Sequence, residues 1–134
     1  MSAVGESSPP GRVGLLVVGH GSRRAAANET LLAVADAVAA RLPAYAVQPA
    51  FLEIARPTIA DGYAALVAAG CARLVVHPYF LYPGNHTTTD IPAALAAAAA
   101  QHGARPWVLT DPLNLDPRIV DVVADRVTSV LEVP

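Results

Sequence analysis

The sequence predicts an α/β protein: a single domain with a four-stranded, mainly parallel sheet and helices on both faces. Apolar runs of strand length alternate with helical patterns along the chain and are joined by short connectors. The first run, residues 12–18, is continuously apolar after its arginine, which is typical of a strand buried on both faces. A chain of 134 residues is long enough for one core but not for two. Strand–helix–strand units of this size predict right-handed crossovers.

Four strands are predicted, and each is followed by a helix. They cover residues 12–18, 46–54, 73–81 and 106–110. The second strand contains Pro49, which has no backbone N–H to donate to a neighbouring strand. This strand is therefore expected either at an edge of the sheet or interrupted at the proline.

The first three helices are indicated by periodic apolar residues and by their end signals. The first covers residues 24–42. The second is opened by Pro57 and ends at Gly70, whose lack of a side chain suits a C-terminal cap. The third is rich in alanine, a strong helix former, and is expected to run from near Pro92 to Gly103.

The fourth helix follows Asp116 and Pro117, which are predicted as its N-cap and first-turn residue. Its apolar residues recur at helical spacing and share one side. This α4 stripe comprises Ile119, Val123, Val127 and Val130. The predicted domain covers residues 12–134, and residues 1–11, which are small, polar and proline-bearing, are expected to form a disordered tail.

Composition excludes several classes of function. The net charge is −2 and the basic residues form no run, so nucleic acid is not an expected partner. A single cysteine excludes an internal disulfide, a four-cysteine zinc site and an iron–sulfur cluster held by this chain alone. Cys71 is instead expected to be a small buried hydrophobe. The sequence shows no signal-peptide core and no apolar run of membrane-span length, which predicts a cytoplasmic protein without membrane contact.

Polar side chains follow three predicted strands at the same edge of the sheet. His20 follows the first strand, Glu53 closes the second, and His86 lies in the loop after the third. Ligands of open parallel sheets bind outside the carboxyl ends of the strands, so these side chains are expected to converge. Two imidazoles and a carboxylate suit a divalent cation such as Co²⁺, Ni²⁺, Fe²⁺ or Zn²⁺. They leave coordination positions open, as a catalytic or delivery site requires.

The residues around His20 fit the same hypothesis. Without side chains, Gly19 and Gly21 let a flat ligand or a metal ion approach the backbone closely. Ser22 and Arg23 stand at the start of the following helix, where free N–H donors favour an anionic group.

The remaining histidines and the aromatic residues are assigned outside the metal site. His77 is expected to be packed within the third strand or to lie at an edge, and His102 to interact with the dipole at a helix C-terminus. Tyr79, Phe80 and Tyr82 form an aromatic cluster. It is either plain core or, for at least one member, the lining of a pocket for a planar ligand.

Three stretches of the chain resemble the signatures of one known family. They are GLLVVGHGSR at residues 14–23, AFLE with a following proline at residues 50–57, and VVHPYFLYPGNHTTTDIP at residues 75–92. In this order and at these separations, the chain is similar to the short CbiX/SirB-type sirohydrochlorin chelatases, which are class II chelatases. The similarity spans about residues 13–126. One departure is His77, where such proteins more commonly carry an aliphatic residue; an auxiliary metal contact is conceivable there.

The resemblance implies an activity and an assembly. It implies the insertion of cobalt, iron or nickel, as a divalent substrate ion, into sirohydrochlorin, with no organic cofactor and no iron–sulfur cluster. The chain would have the fold of half a two-domain chelatase and would form a homodimer. Carried over residue by residue, His20 and His86 match the family's metal-handling histidines and Glu53 the acidic residue of its FLE motif.

The same resemblance implies contacts with the carboxylates and ring of the tetrapyrrole. Arg23, Arg24 and Arg56 are candidate partners for the carboxylates through forked hydrogen bonds. Asn85 and Thr87 belong to a stretch, NHTTTD, that is expected to supply polar donors or to move as a lid.

In the expected mechanism, His20 and His86 hold the cation on one face of the ring, and a freed imidazole takes a pyrrole proton. Glu53 can orient a histidine, add a ligand or accept the second proton, and the residues alone do not choose among these roles. One rival is a non-catalytic metal or tetrapyrrole carrier with the same ligands. Another is a phosphate-handling enzyme with a histidine nucleophile, which fits poorly because Gly19 stands where such phosphatases place an arginine.

Overall fold

The computed structural model describes residues 11–131, with the side chains of residues 85–88 left outside that description. Strands and helices alternate in the predicted order, and the predicted α/β class is confirmed. The strands are β1 (Arg12–Gly19), β2 (Ala46–Phe51), β3 (Cys71–Pro78) and β4 (Trp107–Leu109). The helices are α1 (Ala25–Arg41), α2 (Ile59–Ala68), α3 (Asn85–His102) and α4 (Pro117–Leu131). Apart from Gly11, the predicted tail lies outside the described residues.

The four strands form one parallel sheet in the order β2-β1-β3-β4. β2 is an edge strand, which is one of the two alternatives predicted from its internal Pro49. In register, Gly19 of β1 lies opposite Phe51 of β2, and Val18 lies opposite Pro78 of β3. The carboxyl ends of β1, β2 and β3 therefore lie side by side at one edge of the sheet.

The core is divided between the two faces of the sheet because successive strand residues point in opposite directions. On one face, Leu16 and Val18 pack with residues of α2 and α3, among them the fully buried Tyr63. Cys71 belongs to the same cluster and is buried, as predicted. On the other face, the alternate residues of β1 pack with Leu31 of α1. Helices thus cover both faces, α2 and α3 on one side and α1 on the other.

Several helix ends follow the predicted chemistry. Gly70 follows α2 with a φ of 85°, a conformation that glycine adopts without strain. Asp116 accepts a hydrogen bond of 2.9 Å from the backbone N–H of Arg118 at the start of α4. The start of α2 lies slightly beyond the predicted Pro57, because the side chain of Thr58 and that of Asp61 form a capping box there. No helix in the described range is both long and apolar enough to cross a membrane.

The predicted end of the second strand is wrong by a short segment. The strand was expected to reach residue 54 but ends at Phe51. The backbone N–H of Phe51 donates to the carbonyl of Pro57 at 2.8 Å, so residues 52–57 loop back along the edge of the sheet. Glu53 therefore lies in this loop and not at the end of the strand.

The predicted start of the third helix is also wrong. α3 begins at Asn85, and Pro92 lies inside it. Because Ile91 and Leu95 are fully buried on either side of the proline, their packing supports the helix where one backbone hydrogen bond is missing. His86 consequently belongs to the first turn of α3 and not to a loop.

α4 is amphipathic, yet none of its residues is buried. On the α4 stripe, Val123 is 57% exposed, Val127 56% and Val130 79%. α4 makes no extended contact with any other element of the described chain.

The sheet has an uncovered area on the same face as α1. Val108 of β4 lies opposite Val75 of β3 and is 59% exposed, although its neighbours Trp107 and Leu109 pack on the opposite core. We call the area around Val75, His77 and Val108 the open face.

Candidate functional site

The backbones that leave β1 and β2 stay paired beyond the sheet. The N–H of Leu52 donates to the carbonyl of Gly19 at 2.9 Å, and that of Glu53 donates to the carbonyl of His20 at 3.1 Å. This pairing brings together two residues that are 33 positions apart in the sequence, His20 and Glu53.

The side chains of His20 and Glu53 are in direct contact. Nε2 of His20 lies 3.1 Å from Oε2 of Glu53, and the two side chains are 52% and 58% exposed. Because a carboxylate only accepts hydrogen bonds, the contact places the imidazole hydrogen on Nε2. The ring of Phe80 meets the imidazole edge-on, with the centroids 6.3 Å apart and an angle of 88° between the planes. The imidazole is thus oriented by a carboxylate and an aromatic ring while staying open to solvent.

Glu53 is held in a strained turn. The N–H of Ala55 donates to the carbonyl of Glu53 at 2.8 Å, and Ile54 between them has a φ of 73°. A β-branched residue rarely adopts this conformation, and such strain is common at functional sites.

The two glycines beside His20 have roles within the chain itself. Gly21 has a φ of 100°, and a Cβ there would collide with the carbonyl oxygen of Glu53. A Cβ at Gly19 would lie 2.7 Å from Cδ2 of Leu31. These glycines were predicted to admit a ligand. In the structure, Gly19 leaves room for Leu31 of α1, and Gly21 leaves room for the Glu53 loop that packs directly on it.

Asn28 of α1 fixes the segment after His20. Its Oδ1 accepts from the N–H of Ser22 at 2.9 Å, and its Nδ2 donates to the carbonyl of Ser22 at 2.7 Å. The hydroxyl of Ser22 accepts from the N–H of Arg24 at 3.0 Å. Sequence analysis missed Asn28. Its signal is an asparagine, a poor helix former, in the first turn of a predicted helix.

A cleft of about 240 Å³ opens beside His20, between the end of β1 and the start of α1. Tyr79 and Phe80 line it, whereas Tyr82 is 72% exposed. Two members of the predicted aromatic cluster thus line a pocket, and Phe80 also packs on the core.

His77 lies away from the His20 cleft, in a larger cavity on the open face. This cavity has a volume of about 350 Å³. Nδ1 of His77 lies 2.7 Å from the hydroxyl oxygen of Thr110, and burial lowers the pKa of His77. The histidine is half-buried, in keeping with the packed position predicted for it.

The three candidate arginines differ in their surroundings. Arg23 and Arg24 are exposed and form no ion pair with any residue that the structure describes. Arg56 forms a bidentate ion pair with Asp61, in which Nε and Nη2 each donate to a carboxylate oxygen at 3.1 Å. Hydrogen bonding by Arg56 lowers the pKa of Asp61 to about 2. Arg56 is therefore already engaged, whereas Arg23 and Arg24 are available to an anionic ligand.

His86, the third predicted metal ligand, lies in the first turn of α3, the helix that follows β3. The side chains of His86, Asn85 and Thr87 are outside the described residues. Among the side chains that are described, no three histidine, cysteine, aspartate or glutamate groups cluster as a metal site. His20 and Glu53 form a pair, and the backbone of α3 begins after the neighbouring strand.

The spacing of the pair has a chemical meaning. Nitrogen and oxygen ligands bind divalent metals at about 2.0–2.2 Å. Two such ligands at right angles on one cation lie about 3 Å apart, close to the 3.1 Å between Nε2 and Oε2. The same two atoms can therefore share a proton or chelate a cation with little movement.

Comparison with known proteins shows the family to which the chain belongs. Residues 14–130 match the protein family described as CbiX. The chain is 38% identical over 114 residues to the chloroplastic sirohydrochlorin ferrochelatase of Arabidopsis thaliana, covering 85% of this chain and 51% of that protein. It is 32% identical over 135 residues to the sirohydrochlorin cobaltochelatase of Methanothermobacter thermautotrophicus, covering 90% of this chain and 94% of that protein.

Solved structures show the same similarity. The sirohydrochlorin chelatase SirB from Bacillus subtilis subspecies spizizenii, in complex with cobalt, superposes with a TM-score of 0.82 at 30% identity, covering 89% of this chain and 51% of SirB. A putative cobalamin biosynthesis CbiX protein from Marinobacter aquaeolei VT8 gives a TM-score of 0.72 at 28% identity. The match covers 90% of this chain and 98% of that protein. The chain spans about half the length of SirB and of the Arabidopsis protein.

Proposed function

Because the chain belongs to the CbiX family, we propose that it is a sirohydrochlorin chelatase, which inserts cobalt or iron as a divalent ion into sirohydrochlorin. The observation that carries the proposal is the contact of His20 with Glu53 at the carboxyl edge of the sheet. The metal ion is a substrate in this reaction. Nickel, also expected from the resemblance, is not named for any of the four proteins compared above.

His20 and Glu53 receive the incoming cation in this proposal. The cation takes the place of the proton between Nε2 and Oε2. As that proton leaves to solvent, Nδ1 takes up a proton from solvent, so the imidazole binds the cation as a neutral ligand. His86 supplies a further ligand from the first turn of α3. The remaining coordination positions hold water, which the pyrrole nitrogens displace.

Transfer of the cation then requires the removal of two pyrrole protons. All four ring nitrogens bind the cation while two N–H bonds break, and the loss of two protons balances the two positive charges of the metal ion. The departing cation leaves Nε2 of His20 vacant, and this nitrogen accepts one proton. The carboxylate of Glu53 accepts the second.

The tetrapyrrole lies over the cleft beside His20. Tyr79 and Phe80 offer apolar surface to a planar ring. Its carboxylates bind Arg23 and Arg24, which are free of other ion pairs in the described chain. The rest of the proposed tetrapyrrole-binding site is formed by Gly19, Gly21, Ser22, Asn85 and Thr87. Arg56 can bind the ligand only if its ion pair with Asp61 breaks.

The proposal is tested by mixing the purified protein with sirohydrochlorin and Co²⁺ or Fe²⁺ and following the absorbance bands of the ring. We expect many turnovers per protein and a rate well above that of the free reaction. A carrier would give a stoichiometric change without acceleration, which would overturn the proposal. Hydrolysis of a phosphate ester with no metal insertion would favour the phosphate-handling rival instead.

Glu53→Gln is expected to lower kcat/KM for metal insertion by about 10- to 100-fold. The amide oxygen still accepts a hydrogen bond from His20, but it lacks the charge to bind the cation and to take a proton. Initial rates at varied Co²⁺ measure the effect. The matched control is Asp36→Asn, which removes a carboxylate from the exposed side of α1. If the Glu53→Gln variant inserts metal at the wild-type rate, Glu53 neither binds the cation nor accepts a proton, and its role is restricted to orienting His20.

The proposal extends to assembly and location. A homodimer follows from the resemblance, and light scattering on the purified protein measures it. The cytoplasmic location also remains a prediction, and the Arabidopsis relative is chloroplastic by name.

A further inference from the structure

We propose that Asn28 is a positioning residue for metal insertion: its side chain fixes the backbone after His20 and thereby holds Nε2 of His20 beside Oε2 of Glu53. The inference rests on the proposed function, because it concerns the histidine that would receive the metal ion. It goes beyond that function by assigning a task to a side chain that forms its hydrogen bonds with Ser22 and with neither member of the metal-binding pair.

The segment that carries His20 lies outside regular secondary structure. β1 ends at Gly19 and α1 begins at Ala25, so residues 20–24 belong to neither. Before the turn, the carbonyl of His20 accepts from the N–H of Glu53 at 3.1 Å. After it comes Gly21, a residue type that restricts its own backbone dihedrals very little. The direction of the chain beyond His20 therefore depends on a contact further along.

Asn28 supplies that contact by pairing with both backbone groups of Ser22. Its Oδ1 accepts from the N–H at 2.9 Å, and its Nδ2 donates to the carbonyl at 2.7 Å. The two bonds also settle which side-chain atom is the oxygen, because the reverse orientation would set the NH₂ group against an N–H and the oxygen against a carbonyl. The side-chain amide thus offers Ser22 one donor and one acceptor, as a neighbouring strand does in a sheet.

α1 holds the segment on both sides of His20. Asn28 and Leu31 are three residues apart and lie on the same side of the helix. Leu31 packs against Gly19, where a Cβ would lie 2.7 Å from its Cδ2, and Asn28 bonds to Ser22. Leu31 is itself buried in the core. An anchored helix therefore fixes both the residue before His20 and the second residue after it.

The imidazole of His20 depends on this backbone because core packing does not fix it. Its side chain is about as exposed as that of Glu53, and its contacts are the carboxylate and the edge-on ring of Phe80. Metal–ligand bonds are short, so a chelating pair tolerates little displacement. A shift of the chain at Ser22 would move Nε2 away from Oε2. Asn28 therefore acts on the proposed metal-binding pair through the backbone.

The first test is kinetic. Asn28→Ala is expected to lower kcat/KM for Co²⁺ by about 10- to 100-fold, as for other residues that orient metal ligands, and to leave KM for sirohydrochlorin unchanged. Alanine is the better helix former, so α1 itself is not weakened. The matched control is Glu29→Ala, at the next and exposed position of α1, with the wild-type rate expected. Wild-type kinetics in Asn28→Ala, or a loss confined to KM for sirohydrochlorin, would overturn the proposal.

A second variant separates positioning from the filling of space. Asn28→Asp keeps the size of the side chain and the acceptor for the N–H of Ser22, but it sets an oxygen against the carbonyl of Ser22. Positioning predicts a lower kcat/KM for Co²⁺ here as well. The added negative charge would by itself attract the cation, so it cannot explain such a loss. A wild-type value in Asn28→Asp would mean that Asn28 only fills the wall of the cleft.

The third test is hydrogen exchange of backbone amides, followed by NMR without metal or sirohydrochlorin. In Asn28→Ala we expect faster exchange at Ser22, which loses its acceptor, and also at Glu53, whose N–H is bonded to the carbonyl of His20. Exchange at Leu16, buried in the central strand, is expected to stay slow and shows that the variant is folded. Faster exchange at Ser22 alone would contradict positioning, because the disturbance would not reach His20.

The two proposals fail in different ways. A wild-type chain that inserts no metal would refute the chelatase function, whereas the exchange rates would still show whether Asn28 holds His20 in place. An active wild-type chain together with an equally active Asn28→Ala variant would refute the role of Asn28 alone.

Discussion

His20→Ala is expected to lower the rate of metal insertion by roughly 100-fold or more while leaving the protein folded. His20 offers the nitrogen that contacts Glu53, and the proposed reaction uses it twice, as a metal ligand and as a proton acceptor. Its side chain is 52% exposed, so its removal leaves no cavity in the core. Initial rates with Co²⁺ and sirohydrochlorin measure the loss, and circular dichroism confirms the fold.

The control for this experiment is another exposed histidine. His102→Ala removes an imidazole from the last residue of α3 and is expected to leave the rate unchanged. His86→Ala is expected to resemble His20→Ala, because His86 is the other proposed ligand. If the double variant His20→Ala, His86→Ala loses metal binding but keeps its insertion rate, the assignment of both residues is wrong.

Gly21→Ala is expected to destabilise the protein by about 2–4 kcal/mol and to abolish most activity. Alanine is strained at the φ of 100°, and its Cβ would collide with the carbonyl of Glu53. The Glu53 loop must then move, which separates Oε2 of Glu53 from Nε2 of His20. Urea unfolding measures the loss of stability, and the insertion assay measures the loss of activity.

Gly70→Ala separates the two contributions to this effect. Gly70 also has a positive φ, 85°, but a Cβ there would meet no atom within 4 Å. We expect a loss of about 1 kcal/mol from backbone strain alone and an unchanged insertion rate. Equal stability losses in the two variants would mean that the contact between Gly21 and Glu53 contributes nothing.

The sequence predicts which residues reach the carboxyl edge of the sheet, because parallel sheets follow simple rules. The apolar run of β1 stops at Gly19, so His20 had to lie at the carboxyl edge. Pro49 predicted that β2 is either an edge strand or interrupted, and the sheet order shows that it is an edge strand. Since neighbouring parallel strands end side by side, the approach of Glu53 to His20 could be anticipated.

Other features depend on contacts that periodicity does not encode. The early end of β2 results from the bond between Phe51 and Pro57, and the turn at Ile54 from a strained φ. The early start of α3 depends on the burial of Ile91 and Leu95 around Pro92. The stripe on α4 was visible in the sequence, but its spacing did not show that its valines are exposed in the described chain.

The pairing of β1 with β2 has a consequence for when the proposed metal site forms during synthesis of the protein. Nε2 of His20 and Oε2 of Glu53 become neighbours only when these strands are joined, because 33 positions separate the residues. In a newly synthesised, unfolded polypeptide, the side chains of His20 and Glu53 are therefore far apart and bind cobalt or iron only weakly. If this pair binds the metal as proposed, cations bind chiefly to folded molecules, and free metal then shifts the folding equilibrium further toward the native form.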